Sequence, residues 1–168
     1  MELEEAIRSR RTHKAYGPQP VDRGTLEELF EVARWAPSHH LAFPWRFRVL
    51  GPAALGRLKA ADPEKAGKLD RAPTLVVASV VLEGDPVRDV EDRDAAAVAA
   101  YLVLLAAHGR GLAGYWRTPL VLRTAAGRAA VGLPDDEQTL GLLHLGAPRQ
   151  EQRAPERPPV GAFARFLD

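Results

Sequence analysis

The chain contains no cysteine, which removes disulfides, thiolate nucleophiles and sulfur-ligated metals or clusters from consideration. Asparagine is also absent, and arginine outnumbers lysine 19 to four. A GC-rich genome and a hot habitat, where thermolabile residues are depleted, both produce that bias. Charge of one sign is lacking too: the formal net charge is +1, and basic residues alternate with acidic ones, so no nucleic-acid footprint is present. The longest apolar run, near residues 95–107, falls short of the roughly 20 residues that a bilayer demands. The chain opens with Glu2, Glu4 and Glu5 in place of the basic and apolar regions of a leader. A cytoplasmic protein that binds neither nucleic acid nor membrane is expected. No glycine-rich phosphate loop occurs either; Gly109-Arg110-Gly111 lacks the third glycine of a dinucleotide fingerprint and follows a helix.

What is present suits one globular domain. With 46% hydrophobic and 27% charged residues, a 168-residue chain can bury roughly 70% of its unfolded surface without staples. Leu3, Ala6 and Ile7 mark a short helix over 2–9, which Gly17-Pro18 follows. Thr25 and Glu28 form a capping-box pattern ahead of a helix that presents Leu26, Leu29, Phe30 and Ala33 and ends before Pro37. Trp45, Phe47 and Val49 alternate with Arg46 and Arg48 as a half-buried strand, and Pro52 opens a further helix. The charged stretch 61–72 reads as a loosely packed connection and a candidate flap over a pocket. Residues 73–82 form the strongest strand, apolar on both faces. Residues 90–108 form the longest helix, apolar over most of its circumference and so buried all round, in the core or against a second subunit. Residues 112–116 make a strand, Thr118-Pro119 supplies an N-cap hydroxyl and an N1 proline for a helix, and 139–145 make the last strand. The proline-rich tail cannot be regular structure, yet it carries Val160, Phe163, Phe166 and Leu167, which need a surface to cover them.

Three clusters could carry chemistry. Arg10-Arg11-Thr12-His13-Lys14 sits at a helix exit, where basic residues ordinarily just complement the helix C-terminus. The same residues offer guanidinium forks, an ammonium and a hydroxyl to a phosphate. Ala36-Pro37-Ser38-His39-His40, running on through Phe43-Pro44-Trp45, makes a loop of small, polar and aromatic residues suited to a flat ring. His39-His40 as metal ligands is disfavoured, since adjacent side chains diverge and no carboxylate stands at a supporting spacing; no metal site is expected. Trp116-Arg117-Thr118 joins a ring, a guanidinium and a hydroxyl at a strand end, which is either a plain capped junction or a surface for an anion or flavin edge. Asp135-Asp136 reads as turn chemistry.

Four of these segments, in order along nearly the whole chain, resemble the FMN-dependent nitroreductase family, in particular its short single-domain members. They are Glu5 to Tyr16, Ala33 to Ser38 with Pro44-Trp45, Gly109 to Thr118, and Leu145 to Pro148 with Pro155-Glu156-Arg157-Pro158-Pro159. The resemblance implies an α+β fold with a small antiparallel-rich sheet flanked by helices. It also implies a domain-swapped homodimer, with residues 1–148 as the FMN-binding domain and 149–168 as an extended arm on the partner subunit. It places phosphate and ribityl contacts on Arg10, Arg11, Thr12 and Lys14, and further flavin contacts on Trp116, Arg117 and Thr118. Ser38, His39 and Phe43 would come from the other subunit, and Arg157 would reach the phosphate from the tail. Relatives often carry Asn where Leu41 stands and Gln where Phe43 stands, so polar contacts to the flavin edge or to a polar substrate are lost here.

The implied activity is an FMN-dependent NAD(P)H oxidoreductase. NADH or NADPH would donate hydride in a ping-pong cycle, and the cofactor would carry the reaction without a catalytic side chain. Arg11 or Lys14 would stabilise the reduced flavin, and the apolar Leu41 and Phe43 favour flat acceptors such as nitroaromatics and quinones. The alternatives are a non-catalytic FMN-binding or storage protein, a flavin-cleaving or halide-removing enzyme of the same fold, and a structural helical dimerisation module.

Overall fold

The computed structural model describes residues 2–167. Four antiparallel strands, β1 (Trp45–Val49), β2 (Thr74–Val81), β3 (Ala113–Arg117) and β4 (Glu137–Gly146), form one sheet in the order β1-β2-β4-β3. β2 and β4 pair from Thr74 opposite Leu145 to Val81 opposite Glu137, with an irregularity between Ala78 and Ser79. β3 pairs only with Leu142–Gly146, so the first half of β4 runs on beyond the end of its neighbour.

Helices cover both faces. On one face α2 (Arg23–Ala33) and α4 (Pro86–Gly109) bury Leu26, Leu29, Ala96, Ala99, Ala100 and Val103 against Val76, Val80 and Leu143. The alanines let the α4 backbone approach the sheet closely. On the other face α3 (Pro52–Ala61) and α5 (Ala125–Ala130) close over Leu75, Val77 and Leu142 with Leu58, Leu122 and Ala130. α1 (Leu3–Ser9) lies outside this sandwich against α4. The expected α+β class, antiparallel sheet and flanking helices are all present.

Five local expectations need correction. The Thr25–Glu28 box is displaced by one turn: Asp22 is the N-cap, accepting from the Thr25 N–H at 2.9 Å and from its hydroxyl at 2.7 Å, and α2 begins at Arg23. α4 begins at Pro86 because Asp85 caps it, accepting from the Val87 and Arg88 N–H groups at 2.9 and 3.1 Å. Nor is α4 buried all round in the single chain, since Val98 is exposed and Tyr101 and Leu105 half-buried. Residues 61–72 are not a loose flap: a 3₁₀ turn over Pro63–Lys68 leads to Leu69 and Ala72, both buried in the second core. Thr118 caps no helix. Leu120–Arg123 is a 3₁₀ turn, and the capping hydroxyl belongs to Thr124, which accepts from the Gly127 N–H at 3.1 Å.

The tail runs without regular structure from residue 151 to a 3₁₀ turn at Val160–Ala162. Val160, Phe163, Phe166 and Leu167 are all exposed, the last two above 90%.

Candidate functional site

The basic cluster is placed by a strap, residues 10–17, that crosses the ends of β3 and β4. Arg10 closes α1, its N–H reaching the Ala6 carbonyl. Thr12 then bridges Gly114 in parallel, the His13 N–H donates to the Gly114 carbonyl at 3.2 Å, and Tyr16 bridges Pro148. This lacing carries Arg10 to 5.7 Å over the Tyr101 ring on α4, while Ser9 Oγ sits 2.7 Å from His108 Nε2. The exposed Thr12 and Lys14 flank them.

The electrostatics of the cluster are unbalanced. Among the described residues Arg10, Arg11 and Lys14 take part in no salt bridge. Arg11 Nη1 donates only to backbone carbonyls, those of Arg8 and Arg10. The Nε atoms of Arg10 and Arg11 are buried without a partner, as is His13 Nδ1. Burial depresses the His13 pKa, and His108 and Arg10 depress it further; His108 is lowered by burial and then by Arg10 and Arg11. Each unmatched buried donor costs about 1–3 kcal/mol, which a phosphate entering the cluster would recover.

The second cluster is a strained loop. His40, Leu41 and Phe43 have φ of 48°, 54° and 47°, in the left-handed region that non-glycine residues seldom enter. Ser38 Oγ accepts from the Phe43 N–H at 3.3 Å, and His39 Nδ1 lies 3.7 Å from Glu91 Oε2. Three such residues within four positions store on the order of 1–3 kcal/mol each. Such strain persists where a loop presents side chains for use. Glu91 and Tyr101 are ten residues apart on α4, so loop and cation cluster stand at levels about 15 Å apart along its axis.

The third group divides. Pleat alternation sends Trp116 to the α4 side, where its Nε1–H donates to the Leu140 carbonyl at 3.2 Å. Arg117 reaches Lys68 on the opposite face. Trp116 is seated by Gly141, at φ 153°, whose added Cβ would come within 2.5 Å of the indole nitrogen. Thr118 follows on the Trp116 side, at the mouth of a notch of about 610 Å³ beside α4. Arg157 is exposed in the tail. The structure therefore gathers Arg10, Arg11, Thr12 and Lys14 with one end of α4. Trp116 and Thr118 stand with its middle, and Ser38, His39 and Phe43 with its beginning. Sequence reasoning overlooked Tyr101 and His108. Their i, i+7 spacing on α4, in line with Asp94 and Ala97, was the available sign that they share a stripe with the notch.

Comparison with known proteins bears on the family and the fold. A sequence profile of the nitroreductase family matches residues 7–147. YfhC of Bacillus subtilis, provisionally named an NAD(P)H nitroreductase, is 27% identical over 177 residues, covering 94% of this chain and 90% of that protein. The crystal structure of a nitroreductase-like family protein from Bacillus cereus superposes with a TM-score of 0.91 at 20% identity, over 100% of this chain and 97% of that one. A Desulfovibrio desulfuricans relative solved in complex with FMN shares 25% identity and a TM-score of 0.82, over 98% and 96% of the two chains. With that profile spanning most of its length, this chain belongs to the nitroreductase family.

Proposed function

We propose that the protein is an FMN-dependent NAD(P)H oxidoreductase acting on nitroaromatic, quinone or similar flat acceptors. One observation carries this reading: two arginines on one strap, with buried Nε–H groups unmatched and no salt bridge among the described residues. They fit a cofactor phosphate. Arg10 and Arg11 hold it, with Thr12 and Lys14 along the ribityl chain and Arg157 arriving from a tail. Trp116 and Thr118 border the flavin ring on the α4 side, whereas Arg117 acts from the far face of the strand. Bound FMN supplies hydride acceptance and donation; the chain binds it, orients it and sets the charge around it. Ser38, His39 and Phe43 belong to the partner copy's share of the site in a homodimer, whose arms cover the apolar stripe that α4 leaves exposed.

The test is spectroscopic. Purified protein should show flavin absorption that bleaches anaerobically with NADPH or NADH and returns in air. R10A/R11A should leave a folded protein with FMN affinity at least a hundredfold weaker, since each lost charge-assisted bond contributes about 1.5–3 kcal/mol. Full FMN occupancy in that variant refutes the phosphate assignment. Flavin that neither nucleotide bleaches makes the protein an FMN carrier.

A further inference from the structure

Between the two clusters, α4 faces a notch that shares Trp116 and Thr118 with the proposed flavin site and whose remaining lining the cofactor assignment leaves unused. β3 ends at Arg117, while β4 continues back to Glu137; the gap beside Gln138, Thr139 and Leu140 is roofed by the 118–123 segment and walled by α4. Its volume of about 610 Å³ lies within the usual range for small-ligand sites. Ala97, Trp116, Leu122 and Leu140 give it apolar walls.

Its polar groups have one sign in excess. Arg93, Arg123 and Arg128 line it, opposed by the single carboxylate of Asp94. Arg128 is committed, donating to the Pro134 and Glu137 carbonyls at 2.6 and 3.0 Å and lying 3.9 Å from Asp135. Arg93, Arg123 and Asp94 make no ion pair or side-chain hydrogen bond among the described residues. Thr139 Oγ1 is buried and has no hydrogen-bond partner. A buried, unmatched hydroxyl, two uncommitted guanidiniums and an indole ring lining one notch together describe a receptor for an aromatic ring bearing an anionic group. Asp94, Ala97, Tyr101 and His108 follow one another at helical spacing, so the notch lies on the same stripe of α4 as the cation cluster, one turn from Tyr101.

We infer that this notch receives the acidic end of the acceptor, making flat aromatic acids, carboxylates or sulfonates, the preferred substrate class. Leu41 and Phe43 alone suggest apolar acceptors; Arg93, Arg123 and Thr139 add a charge requirement. The word acceptor rests on the flavin reading; the binding preference itself does not.

Calorimetry of the purified protein with 4-nitrobenzoate and its uncharged counterpart 4-nitrobenzyl alcohol tests the inference. The acid should bind at least tenfold more tightly, R93Q/R123Q should bring that ratio close to one, and T139V should weaken the acid three- to tenfold. Equal binding of the two compounds to the unaltered protein overturns the proposal, as does a ratio that survives R93Q/R123Q. An unchanged acid affinity in T139V assigns the preference to diffuse surface charge and also overturns it. Loss of FMN from R93Q/R123Q makes the notch part of the cofactor's own seat, with the same consequence. Colourless protein that oxidises neither nucleotide defeats the flavin reading alone, because the acid preference is still read in the same calorimeter.

Discussion

His144 lies fully buried near the C-terminal end of β4, with neither ring nitrogen hydrogen-bonded, beside the Tyr115 ring. Burial, reinforced by the charges of Arg117 and Arg71, lowers its pKa to about 4 from an ordinary 6.5. The unfolded chain therefore binds more protons than the native one between those values. Stability associated with the neutral ring is complete above pH 6.5 and lost progressively as the pH falls towards 4, by about 3 kcal/mol in all. In H144L, denaturant titrations should show little loss across that window, and stability at pH 7 no lower than that of the unaltered chain. A wild-type-like acid slope in H144L would place the titration elsewhere. Glu137 acts in a different window. Burial pushes its carboxyl up, but the Arg48 fork at 2.6 and 2.7 Å, the Ser79 hydroxyl at 2.6 Å and the Arg48 and Arg46 charges prevail and hold it below its ordinary 4.5. Its contribution is present above pH 4.5 and disappears only in stronger acid.

The elements differ in what declares them. β2 and the body of α4 are legible because their signals are long and local: eight consecutive apolar or small residues, and an alanine-rich run at helical spacing. Helix starts are less so, because a cap is one side chain competing with near neighbours. Asp22 prevails over Thr25 by accepting from both the N–H and the hydroxyl of that residue, and Asp85 extends α4 by four residues past the expected start. D85A should cost about 1 kcal/mol and fray the first turn of α4, measurable by thermal unfolding and by faster amide exchange at Val87 and Arg88. Residues 61–72 misled because two apolar positions, Leu69 and Ala72, outweigh their many charges once Leu58 and Leu122 are beside them. The strap was legible as a basic cluster but not as a strap, since its bonds to Gly114 and Pro148 join positions about 100 residues or more apart. The notch is similarly invisible, arising from two antiparallel strands of unequal length.

At the scale of the whole molecule the tail is the unresolved account: Phe163, Phe166 and Leu167 offer large apolar surfaces to water. F163D/F166D should convert the proposed homodimer to monomer at micromolar concentration, read as a halving of mass by light scattering. An unaltered mass would remove the arm from the assembly. The root of that arm is bonded to the strap, through the Gly17 N–H to the Ala147 carbonyl at 2.9 Å and the Arg149 N–H to the Ala15 carbonyl at 3.4 Å. The proposed cofactor seat and the arm thus share one mechanical joint. Linkage then requires reciprocity: whatever free energy FMN adds to subunit association, association returns to FMN affinity. Dilution alone should release flavin, and excess flavin should hold subunits together, so that the amount of protein in a compartment helps to determine how much of it is loaded.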